Sequence, residues 1–169
     1  MKPVMDLAPL AVGVAAVCGV TWFLLSRNAS LGPWVLAALL LAHGWVHVMF
    51  LFPKPDSATA GGPAWPFDFG RSWLIGGAGL DAGVVGAIGL VLVAITFAAS
   101  LLAAMATVGF LVPVGWWSGL VVTAASGSLV VLAICVSLTF LIGFGIDLAL
   151  LWLTLVSAWS PAGHALSGG

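Results

Sequence analysis

The sequence predicts an all-α bundle of transmembrane helices, and three observations carry that prediction. Hydrophobic residues make up 63% of the 169 positions and charged residues only 5%, whereas soluble domains carry about 25% charged residues. Such a chain cannot cover a water-facing surface, so its solvent is lipid. The apolar residues fall into runs close to the ~20 that a helix needs to cross a bilayer. Finally, nine Trp and no Tyr are present, and Trp22, Trp34, Trp73, Trp116, Trp117 and Trp159 fall at candidate span ends, where indoles sit among headgroups.

Five spans are expected in a single integral membrane domain covering 1–169. The first covers about 8–26 and is ended by Ser26, Arg27 and Asn28. It follows Lys2 but lacks a small-x-small cleavage site before a polar region, so a retained span is expected rather than a secretory leader. The second covers about 33–53, with Pro33 at a first-turn position that tolerates proline and Pro53 at its exit. Residues 54–71 form a polar and aromatic loop. The stretch 72–112 is harder to divide: as one helix it would be about 60 Å long, twice the hydrocarbon core. A single helix over about 72–105 is expected, kinked around Gly76 and Gly77, with Asp68 as its N-cap. Pro113 precedes a fourth span over about 115–137, and a turn near Leu138–Leu141 leads to a fifth over about 142–159. Residues 160–169 read as a flexible tail. Four spans is the alternative, because no polar break separates the last two.

Charge bounds the partners. The net charge is -1 and the four basic residues are scattered. That excludes nucleic acid, which needs a concentrated positive face. With five spans, Lys2, Lys54 and Arg71 share one side while Arg27 stands alone on the other. The excess of basic residues in short loops predicts a cytoplasmic N-terminus. Cys18 and Cys135 both lie in apolar runs and form no CxxC pair, so they read as small buried hydrophobes. Two small-xxx-small stripes, Gly79–Gly83–Ala87 and Gly119–Thr123–Gly127, read as seams where helix backbones approach closely.

Ionisable groups inside the spans demand an explanation, because an isolated charge there is costly. His43 and His47 stand four residues apart, on one helical face. The helical His-x-x-x-His pair is a known metal-ligand spacing, so zinc or copper at His43 and His47 is one candidate. The metalloprotease version needs a Glu after the first His, yet residue 44 is Gly and the chain contains no Glu. A haem clamped by two histidines needs ligands on opposite ring faces, and two imidazoles on one helical face do not provide them. Counting depth along five spans, His47, Asp81 and Asp147 are expected at one level, with Thr154 two turns beyond Asp147 on the same face. Three readings compete for this polar cluster. The groups satisfy one another and fix helix register; or a histidine exchanges protons with carboxylates; or the imidazoles and a carboxylate bind a metal.

The loop carries Trp65, Phe67, Phe69, Arg71 and Trp73. Aromatics with an arginine suit the headgroup region, Arg71 reaching lipid phosphates, or suit contact with a partner subunit. The order of features, His43-Gly44-x-x-His47 in the second span, Arg71-Ser-Trp-Leu74 after a Pro-rich loop and Gly143-x-Gly145-x-Asp147-x-Ala149 in the last, resembles small multi-span bacterial membrane proteins without an assigned activity. The resemblance implies a fold and no chemistry. No catalytic residue is expected, and an independent enzyme is not. The function expected first is an accessory or assembly subunit of a larger membrane complex, in contact with lipid and with other subunits. The alternative is a small transporter or proton- or metal-handling protein.

Overall fold

The structure, a computed structural model, describes residues 8–27, 30–53, 65–135, 137 and 140–163. Lys2, Lys54, Asn28 and His164 lie outside the described residues. Among the described residues six α-helices follow in order: α1 Ala8–Ser26, α2 Gly32–Val48, α3 Trp73–Gly76, α4 Ala82–Thr107, α5 Trp117–Ile134 and α6 Leu141–Leu155. Among the described residues there is no strand. Three stretches, Gly32–Leu51, Ala82–Thr107 and Val114–Ile134, are long and apolar enough to cross a membrane, which marks an integral membrane protein. Ala15–Ser26 and Leu141–Leu155 are shorter apolar helices.

The stretch expected as one kinked helix over 72–105 divides differently. Ser72 caps α3, its Oγ accepting from Leu74 N. The chain then leaves helical geometry through Gly79, whose φ of +69° is left-handed and suits glycine. Asp81 restarts it as the N-cap of α4, its Oδ1 accepting from Gly83 N and Val84 N. Asp68 caps only the 3-10 turn Phe69–Arg71, through Gly70 N. At its far end α4 closes with Gly109 at φ +69°. There Gly109 N donates to Ala106 O and Phe110 N to Met105 O, the paired bonds of a Schellman cap.

α4 is the axis of the bundle, packed most extensively on α5 and α2, while α6 packs on α5 and α1 lies against α2 and α6. Two apolar clusters occupy the ends. One joins Leu36 and Leu40 of α2 to Ala103 and Ala106 of α4, Trp117 and Val121 of α5, and Leu150 and Leu153 of α6. The other joins Phe50, Phe69, Val85, Val131 and Phe140. The start of α2 therefore meets the end of α4 and the start of α5, so successive long helices run antiparallel. Trp117, expected among headgroups, is wholly buried instead. Its Nε1 donates to Thr107 Oγ1 at 2.8 Å, which locks α5 to the end of α4. The Gly79–Gly83–Ala87 stripe and Gly119 and Thr123 are exposed and form no seam inside the chain.

The aromatic loop folds inward. Phe69 is buried and stacks on Phe50 with ring centroids 4.6 Å apart. Phe67 meets Phe50 and Phe140, and Trp65 meets Phe67 edge-on. Gly89 on α4 makes room, since a Cβ there would collide with the Phe69 ring. Helix ends leave carbonyls without partners, and the loop supplies donors to those of α5. Ser72 Oγ donates to Ile134 O and Trp73 Nε1 to Ala133 O, each at 2.8 Å. Arg71, which donates to Trp65 O, and the Trp73 ring remain exposed.

Candidate functional site

Between the two apolar clusters lies a polar layer built from four helices. His43 and His47 come from α2, Thr96 and Ser100 from α4, Ser128 from α5 and Asp147 from α6, all buried. Glycines beside the key residues explain how these helices come close enough. A Cβ on Gly44, next to His43, would stand 2.6 Å from Ser100 Cβ. One on Gly127, next to Ser128, would meet Thr96 Oγ1, and one on Gly143, a turn before Asp147, would stand 2.9 Å from Leu132 Cδ1. In lipid, helix association rests on such close backbone approach. The glycines bring α2 and α5 close against α4, and α6 close against α5, at the depth where their polar side chains project.

Asp147 is the hub. It is wholly buried, and its two oxygens take different partners. His43 Nε2 lies 2.8 Å from Oδ1. Ser128 Oγ donates to Oδ2 at 2.6 Å and lies 3.4 Å from His43 Nε2. A carboxylate with two donors is the arrangement that makes a charge tolerable in a low-dielectric interior. It differs from a nucleophilic triad, in which the imidazole stands between serine and carboxylate and takes the serine's proton. Here both serine and imidazole turn to the carboxylate.

His47, one turn further along α2, is 2% exposed, yet among the described residues neither of its ring nitrogens has a hydrogen-bond partner. Its ring meets that of His43 edge-on at 5.3 Å. Thr96 Oγ1 and Ser100 Oγ are likewise buried without partners. A cavity of about 550 Å³ adjoins this side of the layer, lined by His43 and His47 together with apolar residues such as Val46, Phe67, Leu132 and Ile146.

The residues singled out in sequence separate here. Asp147 meets His43, whereas the depth count paired it with His47. Asp81 stands apart, exposed at the N-terminus of α4. Thr154 donates to Leu150 O of its own helix at 2.8 Å and does not extend the cluster. Among the described residues no group of three His, Cys, Asp or Glu side chains is placed to hold a metal ion. Ser128, Thr96 and Ser100 escaped the sequence reading. The signal was present in the four-residue spacing of Thr96 and Ser100 and in the Ser126-Gly-Ser128 interruption of an apolar run. Comparison with family models, curated proteins and solved structures gives no match.

Proposed function

We propose that this protein is a five-span protein of the bacterial cytoplasmic membrane, its N-terminus inside, that takes up and passes protons at the His43–Asp147–Ser128 centre. The observation carrying the proposal is the buried Asp147 carboxyl, in hydrogen-bond contact with both the His43 imidazole and the Ser128 hydroxyl between the two apolar clusters. Ionisable side chains at this depth are costly and mark proton and ion paths in membrane proteins. Histidine is the side chain suited to exchange near neutral pH. The test is reconstitution into liposomes loaded with a pH-sensitive dye and exposed to a pH step. Protein-dependent proton movement that Asp147→Asn and His43→Gln abolish is the expected result. Movement no faster than in protein-free liposomes, or unaffected by both variants, overturns the proposal.

A second reading, an accessory subunit of a larger complex, draws support from a different surface. Gly83, Ala87, Ala94 and Ala98 fall on one face of α4, and all are exposed. Such a stripe suits close approach by another subunit's helix. On this reading, mild detergent extraction yields a stoichiometric complex that Gly83→Leu with Ala87→Leu dissociates and His43→Gln leaves intact.

A further inference from the structure

The cavity beside the polar layer has a composition that defines a ligand. Its wall is shared by α1, α2, α5, α6 and the inward-folded loop, and among the described lining residues His43, His47 and Cys18 alone carry a polar side-chain atom. The volume of about 550 Å³ lies within the ~300–1,000 Å³ of small-molecule sites, which are mostly apolar with a few polar groups fixing orientation. His43 is committed to Asp147 through Nε2. His47 lines the same wall, and among the described residues both its nitrogens lack a partner; they lie covered beneath the ring's edge, so a head group engages one by turning the imidazole toward the cavity.

We infer that this cavity binds a neutral, lipid-soluble molecule bearing a carbonyl or hydroxyl oxygen on its head, seated with that head against His47. Each part of the description follows from the wall. An apolar lining selects an apolar body, and a site between membrane helices selects a molecule that arrives through the bilayer. A neutral imidazole offers one N–H donor and one nitrogen acceptor, which match a carbonyl or a hydroxyl. A cationic head finds no carboxylate among the described residues of the wall. An anionic head approaches a histidine pair whose inner member already holds the Asp147 carboxylate. A quinone or phenol ring with an alkyl tail has the required chemistry. The inference goes beyond proton handling and does not depend on it.

The experiment is a calorimetric titration of the full chain in detergent micelles with a decyl-substituted benzoquinone, and with decanoate as the charged counterpart. Saturable binding at one site is expected, with decanoate at least tenfold weaker. His47→Leu lowers the quinone affinity at least tenfold. Ala42→Trp, on the exposed rim of the cavity, abolishes binding while helix content by circular dichroism stays unchanged. Absence of saturable binding, equal affinity in both variants, or decanoate binding as tightly as the quinone overturns the inference. Binding without proton flux contradicts the proton-handling function and leaves this site standing.

Discussion

His43 and His47 make a natural experiment. They sit on one face of α2, a turn apart, with rings 5.3 Å from each other and both side chains buried. One is tied to a carboxylate and, through it, to a serine on a third helix. The other has no partner for either nitrogen. Identical chemistry on the same helix therefore has opposite consequences, decided by what the facing helices present at each level. Opposite His43 stands Asp147; beside His47 the wall is apolar and opens into the cavity. The first histidine belongs to the architecture of the bundle. The second has buried hydrogen-bonding capacity that the fold does not use.

That contrast can be broken by substitution. The largest effect is expected from His43→Leu, which strands the Asp147 carboxylate with one donor. Removing one member of a buried pair costs about 3–5 kcal/mol, read as a fall in thermal stability in detergent. A smaller loss comes from Gly44→Val, whose Cβ collides with Ser100 and pushes α2 away from α4. Overpacking of this kind costs about 1–3 kcal/mol, and proton flux should fall with it because His43 moves with its helix. The smallest effect has the opposite sign. His47→Leu removes two buried, unpartnered nitrogens, and apolar replacement of such a group should raise stability by about 1 kcal/mol. A loss as large as that of His43→Leu would mean that His47 is held by contacts as strong as its neighbour's. Stability gained there at the expense of quinone binding would follow the usual opposition between stability and function.

The helical bundle was legible because a chain with 5% charged residues must satisfy its backbone in lipid by helices or a closed barrel, and long uninterrupted apolar runs select helices. Pro33, Pro53 and Pro113 placed helix ends well, since proline acts locally. The division of 72–112 was less legible. Gly79 in its left-handed conformation and Asp81 as a cap act together, and Asp81 read as a buried carboxylate rather than a capping one. For the site, counting residues along spans brought Asp147 to the level of the α2 histidines but selected His47 instead of His43, an error of one helical turn. Helix tilt and the depth at which each span starts shift levels by that much, and neither is written in an almost uniformly apolar run. The tight approaches at Gly44, Gly127 and Gly143 were hidden for a related reason. A small residue signals close contact only when its facing side chain is known, so the regular Gly79–Gly83–Ala87 stripe drew attention while the true contacts did not.

The unequal standing of the two histidines is measured most directly by paired double-mutant cycles in detergent, one crossing His43→Leu with Asp147→Leu and the other His47→Leu with Asp147→Leu. Coupling above about 1 kcal/mol is expected for His43 with Asp147, and coupling within about 0.5 kcal/mol of zero for His47 with Asp147. Equal couplings, or the larger one at His47, would contradict the pairing on which the site is built.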